Sequence, residues 1–239
     1  MPTPYFRFKQ FTVWHDRCAM KVGTDGVLLG VLSPVNSQIR SILDVGTGSG
    51  LVALMLAQRC SEAQLNAIDI DRGAYEQAVI NFTDSPWTDR LTAFHQSLEE
   101  FAKGKNECYD LIVSNPPYFS NSLKGTNQAR TTARHTDSLT LDELFCFSEQ
   151  LLNKTGSIVV ILPVSDQENC VKCAERYRLF CTVSTAVIPK PGAIAKRVVM
   201  VFNRESAPCK VNELMLEKEI RGNYTPEFTA LVRDFYLKL

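Results

Sequence analysis

Short apolar runs alternate along this chain with longer stretches of helical period. Residues 41–45, 65–71, 91–95, 109–114, 157–162, 180–188 and 198–202 are rich in Ile, Leu, Val and Phe and are bounded by polar or glycine-containing turns, as buried strands are. Between them, residues 51–57, 72–82, 139–153 and 166–176 carry the spacing of helices packed on one face, and 226–237 has the pattern of a closing amphipathic helix. Strand and helix in turn predict an α/β domain with a mostly parallel, doubly wound sheet. Near the start, Phe6, Phe8, Phe11 and Val13 mark a short strand or hairpin, with Arg7 and Lys9 on the alternate face. Residues 27–32 then read as a buried helix, for which Thr24 or Asp25 is the expected N-cap. The expected organisation is one domain over 1–239: an extension lying over the ligand (1–40), the core (41–204) and a helical tail (205–239).

Two turns carry the candidate chemistry. The strand Ser41-Ile42-Leu43-Asp44-Val45 runs into Gly46-Thr47-Gly48-Ser49-Gly50 and then a helix. Glycines permit positive φ and close backbone approach, so a ligand can lie against this turn and the helix start. The spacing is G-x-G-x-G, not the G-x-G-x-x-G of dinucleotide sites, and Asp44 precedes it. A carboxylate there would repel a pyrophosphate and favour a cationic amino group, which points to a ligand with an adenosine end and an ammonium end. Asp69, 19 residues after Gly50, can accept from two ribose hydroxyls, followed by Ile70; Asp71 is placed to cap the next helix. Backbone groups near Ser97 and Leu98 are within reach of an adenine edge. In the extension, Lys21, Thr24 and Asp25 belong to a candidate flap across the ligand.

The second turn is Ser114-Asn115-Pro116-Pro117-Tyr118. Two prolines fix two φ angles and hold a carbonyl at 115 or 116 as a rigid acceptor. The Asn115 amide oxygen is a second acceptor, and Tyr118 offers a ring on which a base can stack. Two acceptors and a stacking plate suit a planar ring bearing an exocyclic amine. Ligands of open α/β sheets lie at the carboxyl ends of the strands, so the glycine turn, Asp69 and Asn115 should converge. After Tyr118 the chain is polar for about twenty residues and carries Lys124, Arg130, Arg134 and His135; Lys190, Lys196 and Arg197 cluster in a later connection. Phosphate contact is the expected use of both groups.

Composition narrows the class. Lysine plus arginine and aspartate plus glutamate balance at 26 each, which argues against indiscriminate coating of nucleic acid while leaving room for local basic patches. Eight scattered cysteines include one lone CxxC, Cys170 to Cys173, with no histidine at zinc spacing, so no metal centre is expected. No run approaches ~18 apolar residues and no leader pattern opens the chain, so the expectation is a cytoplasmic protein with no membrane contact and no obligate protein partner.

Asp44 to Gly50, Asp69 and Asn115-Pro116-Pro117-Tyr118, in this order and at these separations, resemble the class I methyltransferases that use S-adenosylmethionine and methylate amino nitrogens. That resemblance implies a Rossmann-like fold with a seven-stranded mixed sheet, its last strand antiparallel, and S-adenosylhomocysteine as product. Phe11-Thr12-Val13, the segment Cys18 to Gly30, and Arg130 to His135 look more closely like the bacterial enzymes that methylate N6 of adenine 37 in tRNA(Val). The resemblance runs to about Arg204. Many relatives have an acid after the third strand to meet the cofactor's adenine amino group. This chain has Gln96-Ser97, so that contact is not carried over. It implies that Asn115 and the Pro116 carbonyl accept from the target N6 while Tyr118 holds the ring. The rivals are a ribosomal RNA guanine-N2 methyltransferase, a glutamine-N5 methyltransferase of release factors, a DNA adenine methyltransferase and a non-catalytic RNA-binding module. The glutamine enzymes usually carry a helical domain ahead of the glycine turn, whereas only 43 residues precede Asp44 here. A DNA enzyme would want a target-recognition domain, and a mere binding module leaves the acids and the Pro-Pro turn without purpose.

Overall fold

The computed structural model describes residues 3–18, 21–117, 139–220 and 222–238. Its centre is an eight-stranded sheet, one strand more than expected. In chain order the strands are β3 (Ser41–Val45), β4 (Gln64–Asp69), β5 (Leu91–His95), β6 (Tyr109–Ser114), β7 (Leu152–Pro163), β8 (Phe180–Ile188), β9 (Arg197–Asn203) and β10 (Lys210–Met215). Across the sheet they lie β10-β8-β9-β7-β6-β3-β4-β5. Pairings from β5 through β7 are parallel, β9 is antiparallel to both of its neighbours, and β10 is parallel to β8. A separate hairpin, β1 (Tyr5–Arg7) with β2 (Thr12–Trp14), opens the chain.

The strands read as continuous apolar runs because helices cover both faces. Ile42, Leu111, Val113, Val159, Ile161, Val199 and Val201 pack on one side with α1 (Thr24–Leu32), α2 (Leu51–Arg59), the C-terminal part of α3 (Arg72–Thr83) and α7 (Pro226–Val232). Leu43, Val45, Ile112, Ile158, Val160, Met200 and Phe202 pack on the other with α4 (Leu98–Ala102), α5 (Leu141–Leu151) and α6 (Gln167–Arg176).

The tail is not simply helical. Lys210–Met215 forms the outermost strand, and its helix ends at Val232. The α1 cap also differs from expectation: Gly23 is the N-cap and no side chain caps the helix, so Thr24 and Asp25 lie within its first turn. Asp71 does cap α3, accepting from the Ala74 N–H at 2.7 Å.

Two further contacts hold the part of the sheet that carries the site. Asp110 Oδ2 accepts from the Arg40 and Ser41 backbone N–H groups and from Ser41 Oγ, and its Oδ1 accepts from Asn153, so one carboxylate ties the starts of β3, β6 and β7. Burial raises this acid's pKa, but those donors outweigh it and hold it below the usual carboxylate value. At the other end, Ser114 Oγ donates to the Val45 carbonyl at 2.9 Å, locking the ends of β3 and β6 together.

Candidate active site

Strand register brings the two turns side by side. Val45 pairs with Ser114 on one flank and with Ile68 on the other, so Gly46, Asn115 and Asp69 leave the sheet at the same level. Successive strands are wound outward on opposite sides of the β3–β6 boundary, where a crevice opens in sheets of this kind. A cleft of about 1060 Å³ lies there. Its walls are the glycine turn, Asp69 to Asp71, Gln96 to Glu99, Asn115 to Pro117, and Lys21 with Gly23 to Gly26 from the extension.

The glycine turn is built as a cradle. Gly46 and Gly48 have φ of +72° and +57°, and a Cβ on either would meet nothing within 4 Å, so both present bare backbone to open space. Gly46 and Thr47 donate their N–H groups to the Ile68 carbonyl at 2.9 and 3.1 Å. Gly50 corrects an expectation: it does not line the cleft but N-caps α2 with φ +80°, where a Cβ would fall 2.5 Å from the Phe82 ring. Since glycine has no side chain to cap with, Asp44 supplies the missing acceptor from β3, taking the Ala53 N–H at 3.2 Å and Thr47 Oγ1 at 2.7 Å.

Asp44 therefore shapes the turn from below before it meets any ligand. It is 2% exposed, and its pKa is pushed up to about 7 by burial, against the pull of Thr47 and Ala53 and with a smaller push from the charge of Asp69. Asp69 accepts from Gly48 N–H through Oδ2 and from Asp71 N–H through Oδ1, each at 2.9 Å, and burial raises its pKa too. Both acids are short of positive charge, and one lone pair or more on each oxygen of Asp69 is left over. A ligand with hydroxyls and a cationic centre fits such a floor.

Beside the glycine turn, at the end of β6, stands Asn115. Its Oδ1 is buried and has no hydrogen-bond partner among the described residues. A buried carbonyl oxygen left without a donor costs about 1–3 kcal/mol, so this atom is held ready for a donor that the described residues do not supply. Pro116 is buried and Pro117 exposed, which fixes the turn from inside.

Other expected site residues are placed less simply. Ser97 N-caps α4 in a reciprocal box with Glu100, whose Oε2 takes both the Ser97 N–H and its hydroxyl at 3.1 Å. That N–H is thus occupied within the chain, while Ser97 and Leu98 both line the cleft and Leu98 opens the helix. Asp25 and Arg197, expected to serve cofactor and RNA separately, pair with each other at 2.9 Å across 172 positions of sequence. Lys190 and Lys196 are exposed in the connection before β9. Tyr118, Lys124, Arg130, Arg134 and His135 lie outside the described residues. Sequence reasoning missed Leu139, Glu143 and Phe147, which line the cleft; Glu143 and Phe147 lie four apart on one face of α5, which was the available signal, and Leu139 just precedes the helix cap.

Comparison with known proteins agrees with this geometry. Residues 20–170 match the family model described as the methyltransferase small domain. A Bacteroides fragilis protein named tRNA1(Val) (adenine(37)-N6)-methyltransferase is 47% identical over the full length of both chains. Proteins of the same name are 44% identical in Flavobacterium psychrophilum, over 98% of this chain and all of that one, and 46% identical in Trichodesmium erythraeum, over 98% of each. Among solved structures, a predicted O-methyltransferase from Agrobacterium tumefaciens superposes with a TM-score of 0.69 at 14% identity, covering 88% of this chain and 96% of that one. The geranyl diphosphate C-methyltransferase of Streptomyces coelicolor, solved with S-adenosyl-L-homocysteine, gives 0.54 at 11% identity, covering 74% and 75%. These two likenesses are of fold alone. The sequence matches go further, and with the cleft they establish that the chain belongs to the methyltransferase small domain family.

Proposed function

We infer that this protein is an S-adenosylmethionine-dependent methyltransferase that modifies N6 of adenine 37 in tRNA1(Val). Full-length relatives of that name support it, and the observation that carries it in the structure is the Asn115 Oδ1 in the cleft wall, buried and without a partner among the described residues. Guanine-N2 and glutamine-N5 methylation would use the same acceptor, but the relatives' shared name favours adenine.

S-adenosylmethionine supplies a methyl group made electrophilic by its sulfonium. The chain's residues provide its seat: Gly46 and Gly48 admit it against bare backbone, Asp69 accepts from the ribose hydroxyls, and Ile70 and Leu98 flank the base. Lys21, Thr24 and Asp25 close over it from the extension, and Asp44 sets the negative floor by holding Thr47 and the start of α2.

The rest of the work is positioning. The target adenine leaves its stack, at a cost of a few kcal/mol that is least in a single-stranded loop. Asn115 Oδ1 and the Pro116 carbonyl accept from the two N6–H bonds, which fixes the direction of the nitrogen lone pair, and Tyr118 holds the ring. Alignment of this kind supplies most of the acceleration. No basic side chain is needed to begin, because the nitrogen becomes acidic on attack and releases its proton then. Lys124, Arg130, Arg134, His135, Lys190 and Lys196 are the phosphate contacts of this scheme, with Arg197 anchoring the last group through Asp25.

We place the activity in the cytoplasm, where tRNA is matured, and in one domain spanning 1–239. No helix of the described residues is long and apolar enough to cross a membrane. The test is methyl transfer from labelled S-adenosylmethionine to bulk tRNA lacking its modifications, with nucleoside analysis. N6-methyladenosine confined to valine tRNA is expected; label in N2-methylguanosine would overturn the target.

A further inference from the structure

The N-terminal hairpin carries a face that the fold does not use. Register sets Tyr5 opposite Trp14, Phe6 opposite Val13 and Arg7 opposite Thr12. Side chains alternate along a strand, so Tyr5, Arg7, Thr12 and Trp14 share one face and Phe6 and Val13 the other. On the inner face Val13 is fully buried, while Phe6, 38% exposed, lies against Phe8 and Tyr236 with centroids 4.7 and 6.0 Å away. On the outer face Tyr5 is 40% and Trp14 37% exposed, their rings 5.0 Å apart and tilted by 59°, with Arg7 exposed beside them.

Charge singles out the same segment. From Tyr5 to Lys21 the chain has Arg7, Lys9, Arg17 and Lys21 against Asp16 alone, four cations to one acid, in a chain whose totals balance.

Its position relative to the cleft is fixed by buried amides. Asn81 accepts the Trp14 N–H at 2.9 Å and donates to the Trp14 carbonyl at 2.8 Å and to the Ser49 carbonyl of the glycine turn at 2.7 Å. Gln77 takes the Arg17 N–H at 2.9 Å, and Cys18 and Lys21 already line the cleft. Cys18 is four positions on from Trp14, at most about 14 Å of extended chain. The ribbon is therefore a rigid shelf at the rim.

We propose that this outer face is a stacking platform for unpaired bases of the substrate RNA beside the adenine to be methylated, a proposal that rests on the tRNA activity inferred above. Rings on a rigid ribbon take bases of any sequence, and Arg7 meets the backbone between them. A protein partner would want a wide apolar patch, whereas these rings sit in a segment with four cations to one acid, which suits a polyanion.

The test compares wild type with the double variant Tyr5→Ala/Trp14→Ala on unmodified valine tRNA. The KM for tRNA should rise about tenfold, within the range for loss of base stacking, while kcat and the Kd for S-adenosylhomocysteine stay put. Tyr5→Phe/Trp14→Phe should restore the wild-type KM. In a Trp87→Phe background Trp14 is the sole tryptophan, and its emission should be quenched by tRNA. Arg7→Gln should lower the salt slope of tRNA binding by about one. An unchanged KM overturns the platform and leaves the activity standing, as does a wild-type dimer that the double variant turns into a monomer, since a second copy would then cover this face. If wild type methylates no tRNA at all, the underlying activity falls first.

Discussion

At the glycine-turn rim of the cleft, Asp44 and Asp69 accept hydrogen bonds from the protein itself: Thr47, Ala53, Gly48 and Asp71 all donate to them. Beside it, at the end of β6, the Asn115 Oδ1 is buried with no donor among the described residues. One side of the site is assembled in advance, its acids already holding donors of the chain while Asp69 keeps lone pairs for a ligand. The other holds a single acceptor open. Such a division suits a seat that must be rigid before a ligand arrives and a reacting centre whose hydrogen bonds should form only with the substrate in place.

The sharpest break of this comparison is Asn115→Ala. Turnover should fall by roughly a hundredfold to a thousandfold, the usual loss when one preorganised polar contact is removed from a reacting centre. Affinity for S-adenosylhomocysteine, measured by calorimetry, should hardly change, and thermal stability should not drop, because no bond to Oδ1 from the described residues is lost. Parallel loss of activity and cofactor binding would show Asn115 to be structural. Asp110→Ala should do the reverse. Its carboxylate serves four donors, so the variant should lose about 2–3 kcal/mol of stability while the per-molecule turnover of the folded fraction survives. Since this acid's pKa is lowered in the fold, its contribution is present above the unfolded value and fades as pH falls below about 4. Denaturant titrations at pH 7 and pH 3 would reveal it, and equal losses at both would refute the assignment.

The same two rims differed in how far the sequence disclosed them. Asn115-Pro116-Pro117 was readable because its chemistry is local: two fixed φ angles and an amide need no distant partner to define them. Strands β3, β4, β6 and β7 were readable because burial on both faces leaves near-unbroken apolar runs. Asp44, by contrast, looks from sequence like a carboxylate facing a ligand. Its commitment to Ala53 depends on how α2 packs over β3. The Asp25–Arg197 pair spans 172 positions, a contact that no local pattern encodes. Strand β10 was hidden for another reason: Lys210, Asn212 and Glu213 give it the polar composition of an exposed edge, and Val211 is 75% exposed. Ser97 was a missed opportunity, since Ser with Glu three residues on is a local capping signature.

Protonation sharpens the account of the occupied rim. With Asp44 raised from 3.8 to about 7, the native state retains a proton that the unfolded chain has lost throughout that interval. Stability attributable to this group is therefore greatest below the lower value and declines as pH rises towards 7, by at most ~1.4 kcal/mol per pH unit. Asp44→Asn should flatten that slope between pH 5 and 7. A cation in the cleft should favour the ionised form, so binding of S-adenosylmethionine near pH 6.5 should release protons. Calorimetry in buffers of differing ionisation enthalpy measures that directly. Proton uptake instead would mean that Asp44 stays neutral in the complex and that the positive charge is balanced elsewhere.

The smallest effect separates space from strain. Gly48 has φ +57°, where an L residue costs about 1–2 kcal/mol, yet a Cβ there meets nothing within 4 Å of the protein. Gly48→Ala should thus fold with only that modest loss of stability. If the open space is where the ligand lies, the added methyl should still weaken S-adenosylhomocysteine binding by more than the lost stability implies, because it occupies the cleft as well as straining the turn. Gly192 is the control: it has φ +73° and equally open surroundings, but it sits in the β8–β9 connection away from the cleft lining. Gly192→Ala should carry the same backbone penalty and leave cofactor affinity intact. Equal affinity losses in both variants would mean that strain alone is being read, and that the bare backbone at Gly48 is not a ligand surface.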